Sequence, residues 1–296
     1  MVTPHQYCES LARAHYENFP VASHLLPAAM RPHVAAVYAF ARIADDIADE
    51  GNVPAAERLA ALDAWERRVS AVTAGQPDPG GPHPQVFEAI RETVQACDLP
   101  PALLTDLLSA FRQDVVVVRY ATWALLLDYC GRSANPVGRL VLRIAGYRDA
   151  NLDRASDDVC TALQLTNFWQ DLEVDWRKGR LYVPADVSIR AGAREEDLAA
   201  GRLTPQWRSA LEDCSGRTRA LFQSGRAVCD GVRGRLMWEL RATWLGGTRI
   251  LDKLERVQYD VFTRPPTLGR SDALPIAWNA LTWHRADDAA ARAVAN

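Results

Sequence analysis

Apolar residues return every three or four positions along most of this 296-residue chain, as in Leu59, Leu62, Trp65 and Val69, or Leu103, Leu107, Ala110 and Phe111. That period lays them along one face of an α-helix, whereas a half-buried strand alternates with a period of two. Few stretches alternate, so the sequence predicts an all-α fold. The best strand candidate is the run Val115-Val116-Val117-Val118, but it continues a helical pattern that starts near Leu103 and is read as buried helix. Breaks rich in Gly and Pro at residues 75–84, 179–184 and 263–266 punctuate the helices.

With 48% hydrophobic and 24% charged residues there is ample material for a sizeable core. A length near 300 allows one large domain or two ordinary ones. No repeat or low-complexity linker divides the chain, and the segment 75–84 is the only tempting boundary. A net charge of −3 and the lack of a basic block give no attraction to nucleic acid. Cys8, Cys97, Cys130, Cys160, Cys214 and Cys229 are scattered and form no Cys-x-x-Cys pair, which predicts reduced, mostly buried thiols. No secretory signal opens the sequence, so a cytoplasmic location is expected. The most apolar stretch, residues 115–127, contains Arg119 and falls short of the ~20 apolar residues that span a bilayer. Any membrane contact would be peripheral, although the placement of basic residues marks no membrane-binding helix.

Residues 31–50 read as a helix, with Pro32 suited to its first turn and Gly51 to its end. Tyr38, Arg42, Asp45 and Asp49 step by four, three and four, which stacks them on one face. Two carboxylates four apart repel, and the negative end of the helix dipole adds to the cost. A bound cation would remove both penalties. Oxygen ligands of this kind suit magnesium, which takes one or two carboxylates and completes its shell with water and phosphate. Taken alone, the stripe could equally be a solvated acidic helix end.

A second helix is predicted over residues 155–175, with Asn167, Asp171 and Asp175 four apart and Gln164 one turn earlier. No Lys or Arg stands at i+4 to neutralise Asp171. Arg177, Lys178 and Arg180 follow, then Tyr182 and Pro184. A cation cluster beside carboxylates suits a diphosphate held by metal on one side and by Arg or Lys on the other. A surface helix ending in a charged turn would look similar. Two such stripes on either side of the 75–84 loop make most sense facing each other, which favours one helical domain over residues 1–296 with its core at about 10–262. No calcium-loop pattern occurs, and His15, His24 and His33 form no metal-ligand spacing.

These residues resemble the squalene and phytoene synthase family of isoprenyl diphosphate synthases, from about His15 to about Val261. Tyr38-Ala-Phe-Ala-Arg-Ile-Ala-Asp-Asp-Ile-Ala-Asp49 is similar to the family's first aspartate-rich segment, and Leu163-Gln-Leu-Thr-Asn-Phe-Trp-Gln-Asp-Leu-Glu-Val-Asp175 to its second. Asp128-Tyr-Cys-Gly-Arg-Ser-Ala-Asn-Pro-Val-Gly138 resembles the kinked helix that lines the family's catalytic cavity and contributes Tyr129. The resemblance implies a single-domain, all-α isoprenoid synthase fold, a central hydrophobic cavity and magnesium bound to a substrate diphosphate.

The chain also departs from the condensing members of that family. Tyr16-Glu-Asn-Phe19 stands where they usually carry a Ser-x-Ser-Phe-like segment, Gln170 where they usually carry Arg, and Asn135-Pro136 where Gly-Thr or Gly-Glu is common. Fewer diphosphate contacts suggest a different substrate. Glu17-Asn-Phe-Pro-Val-Ala-Ser23, Ser133-Ala-Asn-Pro136 and Asn167-Phe-Trp-Gln-Asp171 resemble the bacterial hydroxysqualene-forming branch. The implied reaction ionises presqualene diphosphate and adds water to the carbocation, without a nicotinamide cofactor, in squalene and hopanoid biosynthesis. It implies functional coupling to an upstream presqualene diphosphate synthase and a downstream reductase.

On that reading Asp45, Asp49, Asn167, Asp171 and Asp175 hold magnesium, with Tyr38 and Gln164 supporting them. Arg42, Arg177, Lys178, Arg180 and Tyr182 bind the diphosphate. Phe40, Phe168 and Trp169 are candidate aromatic walls, each also a candidate for plain core packing. Tyr129, Asn135 and Gln170 can each bond a water and are the candidates for placing it. The alternatives are a head-to-head prenyltransferase that makes presqualene diphosphate, squalene or phytoene, and a helical scaffold that merely binds divalent ions.

Overall fold

The computed structural model describes residues 2–14, 25–51, 53–263 and 265–283. His15, His24 and the segment 16–23 with Asn18 lie outside them. Among the described residues there are fifteen helices and one isolated β-bridge. In chain order they are α1 (Pro4–Ala14), α2 (Arg31–Asp49), α3 (Ala55–Thr73), α4 (Pro84–Cys97), α5 (Ala102–Val116), α6 (Trp123–Ser133), α7 (Asn135–Ile144) and α8 (Ala150–Gln170). There follow α9 (Leu172–Arg177), α10 (Ala185–Ala191), α11 (Glu195–Ala199), α12 (Pro205–Gly225), α13 (Val228–Gly231), α14 (Gly234–Arg256) and α15 (Arg270–Leu281). The predicted break at 179–184 falls between helices, and that at 75–84 runs up to Pro84, which opens α4.

The valine run is a correction. Helix α5 stops at Val116, and Val117 leaves it in extended geometry with φ −106° and ψ 115°. Val116 and Val118 are exposed, and Arg119 forms a parallel bridge with Leu181. β-Branched side chains lose little by leaving a helix, and here their backbone finds partners elsewhere. The anticipated kink in the 128–138 segment is present: α6 ends at Ser133, and α7 restarts at Asn135 with Pro136 in its first turn. Proline has no N–H to give to a preceding turn but fits a helix start.

The chain groups into two compact units, one of residues 1–117 with 131–153 and one of residues 118–130 with 154–296. In the first, Phe40 of α2, Trp65 of α3 and Phe87 of α4 form the aromatic core, with Trp65 and Phe87 centroids 4.5 Å apart. The buried Arg68 guanidinium lies 3.7 Å from the Phe87 ring centre and closes on Asp78 at 2.7 Å, which fastens the 75–84 loop. Phe40 is therefore a core residue and not a cavity wall. In the second unit the fully buried Trp169 donates its indole N–H to Thr218 of α12 at 2.9 Å. Helices α8 and α12 meet closely at Gly225, where an added Cβ would lie 2.7 Å from the Ala155 carbonyl oxygen and 2.8 Å from the Val159 nitrogen.

Helix α1 packs on α2 and α4 through a histidine pair: His5 Nε2 and His33 Nδ1 both bond the buried Thr93 hydroxyl, at 3.2 and 3.0 Å. Burial, then the neighbouring His5, lowers the His33 pKa below its ordinary 6.5, while Glu92 opposes them; Glu92 lies 3.1 Å from His5. The unfolded chain thus binds the His33 proton more readily than the native chain does. Its contribution to stability is complete above pH 6.5 and declines as pH falls below it. Melting curves at pH 7.5 and 5.5 should show a smaller acid-induced drop for His33→Gln than for the wild type.

All six cysteines are free thiols, and Cys8, Cys130, Cys214 and Cys229 are buried. Burial pushes the Cys8 and Cys229 thiols up to about 12 and raises that of Cys214 as well. Among the described residues no helix is long and apolar enough to cross a membrane.

Candidate active site

Helix α2 forms with the boundaries its sequence indicates, Pro32 in its first turn and Glu50 closing it with an N–H bond to the Asp46 carbonyl. Its buried face consists mostly of alanines, with Val34, Val37 and Phe40. Tyr38, Arg42, Asp45 and Asp49 are half-buried beside that face. The Arg42 guanidinium reaches Asp46 at 2.7 Å, Glu50 at 3.2 Å and Asp45 at 3.7 Å. It therefore offsets part of the carboxylate repulsion from within the helix. Burial raises the Tyr38 pKa, with Arg42 opposing and Asp46 and Asp45 adding to the rise. Asp46 was missed from sequence. Its i+4 spacing from Arg42 was the signal. Arg42 and Asp46 also line a 390 Å³ cavity with Leu11, Ile43, Ile47 and His83.

The second stripe lies in the second unit. Helix α8 begins at Ala150, five residues before the expected start, and ends at Gln170. Asp171 interrupts it with φ −96° and ψ 12°, and α9 continues from Leu172. Two backbone bonds carry the helical repeat across the break, Asp171 N–H to Asn167 O and Asp175 N–H to Asp171 O, both 2.8 Å. Asn167, Asp171 and Asp175 thus keep their four-residue spacing, and the Asn167 side chain hydrogen-bonds Asp171. Burial raises the Asp171 pKa, opposed by that bond and by the charge of Lys178. Lys178, seven residues on, supplies some of the neutralisation that the missing i+4 cation does not. Gln164 is half-buried on α8 before Asn167.

The turn after α9 is clipped to residues 118–121. Leu181 N–H bonds Val118 O at 3.0 Å and Ala185 N–H bonds Tyr120 O at 2.9 Å. Arg119 donates to Gly179 O at 2.6 Å and lies over the Trp176 ring. Arg177 points into solvent, paired with Glu173; Lys178 is exposed and Arg180 half-buried. The clip places Tyr182 face to face on Phe168, with centroids 3.7 Å apart and planes 5° from parallel. Tyr129 lies 6.2 Å from each of them and 5.6 Å from Tyr120. Four aromatic rings, all buried, form one cluster against α8. Sequence reading found Tyr129, Phe168 and Tyr182 separately but not Tyr120, which has no periodic relation to them. Asn135, in the first unit, is the first residue of α7. Gln170 donates its amide N–H to the Pro266 carbonyl at 2.8 Å, which leaves its side-chain oxygen as the acceptor.

The donor chemistry of both stripes fits magnesium. All their ligating atoms are oxygens, and a cation at Asp171 would offset the burial that disfavours its charge. Among the described residues no three His, Cys, Asp or Glu side chains converge into a metal cage. A site of that kind leaves most of the coordination shell to water and phosphate, as magnesium commonly does.

Residues 12–272 match the family model described as squalene/phytoene synthase. The chain is 34% identical over 262 residues to a hydroxysqualene synthase of Rhodopseudomonas palustris, covering 88% of this chain and 84% of the relative. It is also 34% identical over 250 residues to a phytoene synthase of Thermus thermophilus, covering 84% and 82%. Among solved structures, squalene synthase HpnC from Alicyclobacillus acidocaldarius superposes with a TM-score of 0.80 at 40% identity, covering 86% of this chain and 94% of that one.

Proposed function

This chain belongs to the squalene/phytoene synthase family, with its isoprenoid synthase fold, and from that premise we propose that it converts presqualene diphosphate and water to hydroxysqualene and diphosphate. The observation that carries this reading is Gln170. Where condensing members usually place an arginine before the second motif's aspartate, this chain has a neutral amide tied to a backbone carbonyl. A second diphosphate would find no charge there. The similarity to a hydroxysqualene synthase supports the same choice.

Asp45 and Asp49 on α2, and Asn167, Asp171 and Asp175 on α8 and α9, are the residues assigned to magnesium, each set in its own unit. Bound magnesium acts as a Lewis acid that neutralises the leaving diphosphate. Lys178 and Arg180 stand beside the second stripe to meet the departing negative charge. Arg42 tempers the first stripe, and Arg177 is paired with Glu173 at the exposed end of α9. Heterolysis of the C–O bond leaves its electron pair on the diphosphate and a carbocation on the prenyl carbon. The rings of Tyr120, Tyr129, Phe168 and Tyr182 present polarisable faces that attract such a cation. They also exclude random water. Gln170 accepts a hydrogen bond from the attacking water through its side-chain oxygen, and Tyr129, in the same unit, is the second residue to test. Asn135 is the third residue to test. Loss of a proton from the added water to the released diphosphate completes the alcohol. In the cell the substrate comes from a presqualene diphosphate synthase, and a reductase consumes the product.

A head-to-head prenyltransferase is the second reading, supported by the equal identity to a phytoene synthase. The purified protein with magnesium and no NADPH separates them. Hydroxysqualene formed from presqualene diphosphate alone is the expected result. Consumption of farnesyl diphosphate would sink the proposal.

A further inference from the structure

Helix α15 buries one face and leaves the other bare. Asp272 near its start accepts from Arg249 Nε and Lys253 Nζ, both at 2.5 Å, and from the Gly269 N–H at 2.7 Å. Near its end the Ala280 carbonyl accepts from the buried Arg241 of α14 at 3.4 Å. Just beyond, Trp283 donates to Asp230 at 2.9 Å beneath the Arg226 guanidinium. The helix is therefore fastened to α14 at both ends. Away from those fastenings Leu274, Trp278 and Leu281 are 81%, 67% and 65% exposed. With Ala277, also exposed, they stand at i, i+3, i+4 and i+7, one continuous apolar stripe. From Ala273 to Trp283 the sequence has no charged residue.

We propose that this stripe docks on the surface of an anionic lipid bilayer. The charge around it selects that occupant. Residues 226–283 contain nine Lys and Arg against six Asp and Glu, in a chain whose net charge is −3. Exposed Arg270 opens α15 at one end of the stripe. Exposed Arg233 and Arg235 stand at the start of α14, which the Arg241–Ala280 and Trp283–Asp230 contacts bring to the other end. An apolar strip with arginines at both ends matches acyl chains beneath negative headgroups. Indole is the side chain best suited to that boundary, apolar in body with one N–H donor. Two copies of the stripe laid together would oppose arginine to arginine, which disfavours a homodimer through this face.

The assignment does not depend on which prenyl reaction the protein performs. Full-length protein is sedimented with vesicles of phosphatidylglycerol and phosphatidylcholine in equal parts, and with phosphatidylcholine alone. The wild type should pellet with the anionic vesicles and bind the neutral ones at least about tenfold more weakly. The double substitution of Leu274→Gln with Trp278→Gln should lower anionic binding by at least about tenfold, with an unchanged melting temperature. Leu281→Ser provides a second, smaller change with the same sign. Turnover of detergent-dispersed presqualene diphosphate should match the wild type in both, so a failure of the reaction is told apart from a failure of docking. Wild-type protein left in the supernatant overturns the proposal, as does a double variant that pellets equally well. A wild-type dimer in lipid-free sedimentation that the double variant dissolves would assign the stripe to a second copy and overturn it too.

Discussion

Asp171→Asn should lower kcat by about a thousandfold, the scale seen when one preorganised group that stabilises transition-state charge is removed. The substitution changes charge and almost nothing else. Asn is the same size and keeps the hydrogen-bonding partner that Asn167 offers. Burial already disfavours the charged form of Asp171, so a neutral amide relieves desolvation and the fold should be no less stable. Loss of rate without loss of stability is the signature of a functional carboxylate. The variant should also need more magnesium for its residual activity, measurable as a shift in the metal titration of steady-state turnover. Undiminished turnover would remove metal-assisted ionisation through this stripe.

Gly225→Ala should destabilise the protein by about 3 kcal/mol, the upper range for overpacking. The obstruction is the backbone of α8, at Ala155 O and Val159 N, and not the far end of a flexible side chain. Neither helix can yield without moving the other. Gly216→Ala in the same helix is the control, because a methyl group there meets nothing within 4 Å. It should gain roughly 0.5–1 kcal/mol from helix propensity. Paired urea titrations would show opposite displacements of the midpoint. Equal displacements would mean that the approach of α8 to α12 is looser than described.

The Asp171 and Gly225 substitutions act at different levels, one on the site and one on helix packing, and the sequence exposes those levels unequally. Helix α2 was legible almost to the residue, because Pro32, Gly51 and an unbroken apolar face are local signals. The bend at Asp171 was not. The residues on both sides favour helix, and the stop is visible only in the backbone angles. The valine run was misread because propensity and periodicity disagreed there, and a backbone partner near Leu181 decided the outcome. At the site, the i, i+4 stripes could be read from spacing. The Phe168–Tyr182 stack and the Gln170–Pro266 bond could not, since they join residues 14 and 96 positions apart. Arg42 stands between these cases. Its charge suggested a phosphate partner, while its own helix offered Asp45, Asp46 and Glu50.

The buried cysteines give the molecule a built-in set of clocks. Alkylating reagents react with thiolates, so a thiol whose ionisation is pushed to about 12 stays silent while its surroundings are closed. Cys8 sits in α1 of the first unit, and Cys214 and Cys229 sit in α12 and α13 of the second. Each becomes labelled only when its own helix opens to solvent. Mass spectrometry of the labelled peptides would therefore time the loosening of each unit separately in the unaltered protein, with no reporter group introduced.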